Sequence, residues 1–589
     1  MSRNPPPSDK GWKISSLTDK SGRTYIFSYC NKWDPVKKQS RNAGTRQIGR
    51  VEPSGLISFS DRYLSDHPQF KTGDWYYEKN QIVQRSASEI AEAVKKSLFD
   101  YREQSLQVGL TYGAWALAQE NHLLEDLKEV FGEELGKELL ELGIYQLDSP
   151  GSALMNFEDW LALVYLPDAH PVDGRRLSES LKSVNQEKID AYFKLRHERA
   201  RVHAQNRRRA LKSRDPERYI PPQTLAFDST SISTYSKTIT DAAYGHAKQN
   251  PELAQVNLTL VCDYDTGDTV YGYESEGSIN DKAIFSEIIN RMYMTGFDLN
   301  DTLVVTDRGY STMYNVQKEL NLEMKFLTGI PLKEDSVKRA FKKHFQSLRS
   351  PAFYSGKYGC ASFTYSESWT QATPAGQLTV PVYVHLYYNE VRAAEEKQSL
   401  ISAIDVILEK KDQGLAIDYD KWHEYSKYLK EVKNKAGKTH WIRDNTAIEK
   451  ALEFSGCFAI KSNEIKDGFE ALSVYRQRNM IEQAFEQFKN KTEGARMFAT
   501  QTTYLGKLFI HMLAQSLRMM MHMSAMRQDG RAKKTLPGNS LEKAFMQLRA
   551  LQAYRPLGRN VWLTKVPTKK QRDLLSLLSL PLPPNQLRH

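Results

Sequence analysis

The feature that most constrains this chain is a change of texture at Pro221, where helical periodicity gives way to short apolar runs. TLAF, ending in Asp228, reads as a strand, and QVNLTLVCDYDTGDTVYGYES reads as a hairpin with Thr266–Gly267 near its turn. The pattern then predicts a helix over Asp281–Met294, a strand at DTLVVTDRG, a helix over Met313–Leu320 and a strand at KFLTGIP. Two or three antiparallel strands followed by helix–strand alternation specify a mixed α/β sheet, because parallel neighbours need a crossover between them.

The flanks read differently. Residues 1–85 form a β-rich basic region, with TYIFSYC, TRQIGRV and GLISFS separated by turn residues. Between Lys32 and Arg50, the cations Lys32, Lys37, Lys38, Arg41, Arg46 and Arg50 face one acid, Asp34. Such a run suits nucleic-acid phosphates and equally suits a solvated hairpin. Residues 86–218 are helical, with ASEIAEAVKKSLFDYREQSL and EDLKEVFGEELGKELLELGIYQL as amphipathic stretches. Their last helix carries ten Lys/Arg between Lys194 and Arg218, among them Arg207, Arg208 and Arg209. It reads as a DNA-binding helix or as a solvated surface helix.

The core therefore starts at 219–330 and is interrupted over 331–460 by an inserted subdomain. That insertion has strands at ASFTYSES and LTVPVYVHLYYN, helices over Glu390–Lys411 and Tyr419–Lys433, then THWIRD and CFAIKSN. Core residues return over 461–530, including a helix from Tyr504 to Met526 whose six methionines mark it as packed. A basic tail over 531–589 has one helix near Ser540–Ala553.

Composition excludes several classes. No segment reaches about 18 uncharged apolar residues, so no membrane span is expected. The N-terminal MSRNPPPSDK lacks the apolar stretch of a secretory signal. Cys30, Cys262, Cys360 and Cys457 are far apart, without CxxC or zinc spacing, which reads as isolated thiols in a reducing cytoplasm. A formal charge of +11 over 589 residues points only weakly toward polyanions.

Three elements carry chemistry. Asp228 in LAFDSTS and Asp307 in LVVTDRGY each follow an apolar strand. Strand ends in an open α/β sheet face the ligand crevice, and two carboxylates there suit a hard cation such as Mg²⁺. The sharper element lies in VYRQRNMIEQAFEQFKNK, where Tyr475, Arg478, Glu482 and Lys489 fall within about 60° of one another on a helix. Val474, Ile481, Phe485 and Phe488 occupy the neighbouring stripe. Such a helix buries one side and presents a phenol, two cations and a carboxylate along its edge. Glu482 can complete a metal site, with Tyr475, Arg478 and Lys489 holding phosphate oxygens beside it. This spacing arises by chance in about one chain of this length in a hundred.

Asp228, Asp307 and the Tyr475-x2-Arg478-x3-Glu482-x6-Lys489 run resemble the DDE transposases of bacterial insertion sequences. The likeness is to the insertion-sequence-four superfamily, named for its Tyr-Arg-Glu-Lys signature, and Gln47-Ile48-Gly49 resembles a step in its long subgroup. The resemblance implies a ribonuclease-H-like mixed-sheet core with a strand-rich and helical insertion, a β-rich N-terminal region and helical DNA-binding regions. It implies catalysis by Asp228, Asp307 and Glu482 holding two Mg²⁺ ions, for which Mn²⁺ substitutes. It also implies double-stranded DNA as partner, both terminal inverted repeats and target, bound by a homodimer in the bacterial cytoplasm at the nucleoid. Strand cleavage by water, a hairpin step and joining of 3′-hydroxyls to target are the implied reactions; the alternative readings are a catalytically inactive domesticated DNA-binding protein and another ribonuclease-H-like nuclease. In such insertions a tryptophan stacks beside a displaced base, with Trp441 the first candidate here and Trp369 the second.

Overall fold

The computed structural model describes all residues except 1–10, 20–21, 53–54, 79, 85–104, 217–218, 245–251, 280, 309–323, 374–375, 434–438, 479–495, 498, 528–534, 556–560 and 588–589. The amphipathic stretch expected from Ser86 and the helix expected over Met313–Leu320 fall largely or wholly outside the described residues. Ser105 and Leu106, at the end of the first of these, are in a strand.

The N-terminal region is an antiparallel meander of β1 (Trp12–Thr18), β2 (Thr24–Asp34), β3 (Gln39–Val51) and β4 (Ile57–Phe59). Ile26, Ile48 and Ile57 make its small core, against which the hairpin of Trp75–Glu78 and Gln81–Gln84 sets Trp75, Tyr77 and Ile82. The helical region follows. A single helix expected over residues 125–147 is instead two, Leu123–Phe131 and α1 (Glu133–Asp148), because Gly132 sits between them at φ +90, a conformation open mainly to glycine. The long basic helix is α2 (Gln186–Lys212).

The large sheet is mixed. Its strands are β5 (Gln223–Thr234), β6 (Gln255–Asp263), β7 (Thr269–Glu276), β8 (Thr302–Thr306), β9 (Lys325–Ile330), β10 (Tyr354–Ser355), β11 (Cys360–Thr373), β12 (Gly376–Tyr388) and β13 (Cys457–Ser462). They run in the order β7-β6-β5-β8-β9-β13-β12-β11-β10, with Arg496–Met497 added beside β5. The first three are antiparallel, and β5, β8 and β9 are parallel. Every residue of β6 and β8 is buried, as for strands covered on both faces. Helix α3 (Asp281–Met294) covers the sheet, with Phe285 edge-on to Phe227 of β5 at 5.0 Å.

One expectation changes here. The segment 331–460 does not stand wholly apart, since β10, β11, β12 and β13 continue the central sheet outward from β9. What stands apart is α4 (Glu390–Asp412), the helix Tyr419–Tyr425 and the two-stranded pair Leu429–Lys433 and Thr439–Arg443, around Ile404, Ile407, Leu429 and Ile448. The α-helix expected over Tyr419–Lys433 therefore ends at Tyr425; Ser426–Tyr428 form a 3-10 turn, and Leu429–Lys433 pair as a strand against Thr439–Arg443.

The C-terminal part joins earlier elements. Helix α5 (Tyr504–Arg527) is buried along most of its length, including Met512, Met519, Met520, Met521 and Met523. Strands Gln552–Tyr554, Trp562–Thr564 and Gln586–Leu587 form a sheet with Ser105–Gln107, so the tail closes onto the helical region. The expected tail helix is observed over Leu541–Arg549, with a second over Lys569–Leu577. None of the four cysteines is in a disulfide; three are buried and Cys30 is half-buried.

Candidate functional site

The site lies where the parallel strands end. Strand β8 pairs with β5 in register Val305 to Ala226. Asp307 and Asp228 are each two residues further on, Asp307 just past the end of β8 and Asp228 within β5, so the register carries both chains toward the same end of the sheet. Asp228 is not at a strand end, as the sequence suggested. Strand β5 has 12 residues and runs on to Thr234, because β6 pairs with it past Asp228 to Ser233. Its pairing with β8 stops at Ala226, so Asp228 stands where the β8 side of the ladder has ended.

The motif helix spans residues 468–478 within the described residues. Asp467 caps it, its side chain accepting from the backbone N–H of Phe469 at 2.9 Å and of Glu470 at 2.8 Å. Two side chains of β12 tie down its start. Tyr387 donates its hydroxyl to the Gly468 carbonyl at 2.5 Å, and His385 Nε2 is 3.1 Å from the Ile465 carbonyl. His385 Nδ1 meets the Thr364 hydroxyl at 2.9 Å. Burial holds the His385 pKa down to about 4, against smaller opposing effects of the Ile465 carbonyl and Asp467, so the ring is neutral at pH 7. The insertion's strand thus sets the position of the motif helix.

That position aims the helix edge at Asp307. The Tyr475 hydroxyl is 3.5 Å from Asp307 Oδ1, across 168 residues of sequence. Arg478 Nη1 is 3.6 Å from the same oxygen, with the arginine side chain 7% exposed and the aspartate 41%. Both distances are at the outer limit of direct contact, and functional contacts often tighten only when substrate arrives. Gly329 of β9 makes the approach possible: a Cβ there would lie 2.6 Å from the Tyr475 hydroxyl oxygen and 2.8 Å from Arg308 Cγ. Sequence reasoning missed Gly329, although a glycine inside a strand signals close approach.

A cavity of about 410 Å³ opens at this point, bordered by Asp307, Arg308, Gly329, Asn389, Arg392, Phe458, Tyr475, Arg476 and Arg478. Among the described residues that border it, four arginines stand against one acid, an arrangement that suits anionic oxygens. Arg308 and Arg476 adjoin Asp307 and Tyr475 in sequence. Asn389 and Arg392 lie at the end of β12 and in α4, and reading 331–460 as a separate body hid them.

Glu482 and Lys489 lie outside the described residues, and Asp228 is described by its backbone alone. Among the described residues no three His, Cys, Asp or Glu side chains gather as a metal site. In kind, the carboxylates of Asp228, Asp307 and Glu482 are hard oxygen donors of the sort Mg²⁺ takes.

The other candidate residues are dispersed. Arg207 pairs with Asp265 at 2.6 Å and Arg208 with Asp301 at 2.7 Å, whereas Arg209 is exposed. Further up α2, Arg196 is buried between Asp126 and Asp268. Much of the helix's positive charge is therefore matched by acids of the same chain. Lys37 and Lys38 are exposed at the β2–β3 turn, Arg41 is 3.5 Å from Asp34, and Arg46 lies over the Trp12 ring at 4.7 Å. Trp441 packs edge-on to Trp422 at 5.3 Å, with Lys411 Nζ over both rings, in the cluster around α4. Trp369 packs on Phe326 under Lys461. The sheet register sets it toward the start of β9, the opposite end from Asp307. Neither tryptophan borders the cavity at Asp307.

Residues 219–510 match the family model of the transposase DDE domain. No curated protein sequence matches the chain. Among solved structures it is similar to a cryo-electron-microscopy structure of a piggyBac transposase synaptic complex with hairpin DNA, at 11% identity. That match covers 58% of this chain and 58% of the other, a little over half of each, with a TM-score of 0.26. A likeness this slight carries no argument about fold or function.

Proposed function

We propose that this chain, which carries a transposase DDE domain over residues 219–510, is an active transposase of the Tyr-Arg-Glu-Lys type. The observation that carries the reading is the convergence of Tyr475 and Arg478 on Asp307 at 3.5 and 3.6 Å. The sheet order, three antiparallel strands followed by two parallel ones, supports a ribonuclease-H-like core.

In this reading Asp228, Asp307 and Glu482 hold two Mg²⁺ ions, which supply positive charge for an in-line displacement at phosphorus, with Mn²⁺ able to replace them. Arg478, Tyr475 and Lys489 grip the phosphate oxygens and fix the scissile bond against the carboxylates. Water adds to phosphorus and the 3′-oxygen leaves, taking a proton to become a free hydroxyl. That hydroxyl attacks the opposite strand to give a hairpin; water reopens the hairpin, and the 3′-hydroxyl then attacks target DNA. Each displacement breaks one P–O bond as it forms another. The partners are double-stranded terminal repeats and target DNA, held by two copies of the chain.

The test is strand cleavage on duplexes carrying the inverted repeats that flank the gene, with and without Mg²⁺. Asp228→Asn, Asp307→Asn and Glu482→Gln are each expected to abolish cleavage and keep binding. Cleavage retained by any of them removes that residue from the site. Arg478→Ala and Lys489→Ala should weaken binding, with a shallower salt dependence.

A further inference from the structure

Strands β2 and β3 reach beyond the sheet they belong to. β1 stops covering β2 at Cys30, which pairs with Trp12, and β4 covers β3 only from Gly49 to Val51. Past that edge the pairs Asn31–Asn42, Lys32–Arg41, Trp33–Ser40 and Asp34–Gln39 have, among the described residues, only each other as ladder partners. They form an arm of roughly 13 Å of ladder, closed by residues 35–38. Side chains alternate across it, placing Lys32 and Arg41 on one face and Trp33 on the other.

The arm is ordered at both ends. At its tip Asp34 accepts the backbone N–H of Val36 at 3.0 Å and of Lys37 at 3.1 Å, a side-chain-closed turn beside Pro35. At its root Arg46 lies 4.7 Å over the Trp12 ring, and a Cβ on Gly44 would be 3.3 Å from that ring. Between these points stand two large apolar side chains, Trp33 at 65% and Val36 at 89% exposure. Four cations, Lys32, Lys37, Lys38 and Arg41, surround them against one acid. A lone exposed apolar residue needs no explanation, but a tryptophan on a projecting, cationic ribbon is matched to a polyanion with apolar edges inside it.

We infer that this arm enters the major groove of duplex DNA. The B-form major groove is about 12 Å wide and admits a two-stranded β-ribbon, and it presents thymine methyl groups between its phosphate walls. Lys32, Lys37, Lys38 and Arg41 meet the phosphates, and Trp33 with Val36 meets base edges. The inference rests on the reading that the protein acts on DNA, and it assigns the arm a groove that the active site does not require. An A-form RNA duplex, whose major groove is deep and narrow, would not accept it.

The test uses the full chain and a fluorescent 40-base-pair DNA duplex of mixed sequence, with an RNA duplex of matching sequence beside it. Trp33→Ala should weaken DNA binding about tenfold. Lys37→Ala with Lys38→Ala should make the salt dependence shallower by about 0.9 for each phosphate no longer neutralised. Dimethyl sulfate probing should show guanine N7, in the major groove, protected by the natural chain and released by both variants. Unchanged affinity and salt slope in the variants, with cleavage of the flanking repeats intact, overturns the arm and leaves the proposed function standing. Protection of adenine N3 in the minor groove, or equal binding to the RNA duplex, also overturns it. A natural chain that binds no DNA duplex and cuts none sinks both readings.

Discussion

Gly329→Ala is the sharpest probe of the site because it adds one methyl group and leaves every candidate site residue in the sequence. The new Cβ would lie 2.6 Å from the Tyr475 hydroxyl oxygen, where ordinary contact begins near 3.4 Å. The phenol must therefore retreat by 3.4 − 2.6, or about 0.8 Å, and Arg308, whose Cγ is at 2.8 Å, must move too. A hydroxyl already 3.5 Å from Asp307 Oδ1 loses its place under such a shift. Misplacement on the order of 1 Å can cost about a hundredfold in rate. Mg²⁺-dependent cleavage is expected to fall by about 10- to 100-fold, while overpacking costs about 1–3 kcal/mol of stability. Tyr475→Phe supplies the control, since without the hydroxyl only the Arg308 side chain still has to move for the methyl group. If Gly329 acts through Tyr475, the glycine change in the Tyr475→Phe background should add little further loss. A natural cleavage rate in Gly329→Ala, or losses that multiply in the double variant, would refute the reasoning.

Other expectations test the scaffold. Arg196→Met leaves Asp126 and Asp268, 0% and 3% exposed in their side chains, without the guanidinium between them. It should cost about 3–5 kcal/mol in urea unfolding, and a loss below about 1 kcal/mol would show that the acids find other partners. Tyr387→Phe removes the hydroxyl that holds the Gly468 carbonyl, so about 1–3 kcal/mol should be lost and amide exchange should quicken over residues 468–478. Unchanged exchange there would mean that the strand does not anchor the helix. Burial raises the Glu141 carboxyl of α1 to about 8, with Lys137 the largest opposing influence. The folded chain then keeps a proton that the unfolded chain releases above about pH 4.5, so this group makes stability fall as pH rises toward 8. Glu141→Gln should remove about 2–3 kcal/mol of that decline between pH 5 and 7.5, and parallel stability–pH curves for the two chains would contradict the assignment.

What could be read from sequence was whatever local period specifies. Helix α3 runs over Asp281–Met294 as its spacing predicts, and β8 and β9 lie within the apolar runs assigned to them. The i, i+3 spacing of Tyr475 and Arg478 places them on one helix edge, and that edge meets Asp307. Long-range pairing leaves no such trace. The arginines of α2 look like a phosphate-binding stripe because their partners are remote: Asp126 is 70 residues from Arg196 and Asp268 is 72. Trp441 likewise looks available until Trp422 and Lys411 are folded against it.

The strands of the insertion carry the deeper lesson. Alternating residues in LTVPVYVHLYYN say that a strand forms, but not which sheet receives it. Strand β13 pairs with both β9 and β12, so the added strands extend the same sheet that carries Asp228 and Asp307. Tyr387 and His385 on β12 then fix the start of the motif helix, and Asn389 and Arg392 just beyond β12 border the cavity at Asp307. A loop-tethered insertion could be trimmed without disturbing the acids. One whose strands continue the sheet cannot, because the sheet sets the angle at which Tyr475 and Arg478 approach. Deleting only residues 390–452, the part with its own small core, should therefore leave Asp307 in place but remove Arg392 from the cavity. Deleting β11 and β12 should release the motif helix itself.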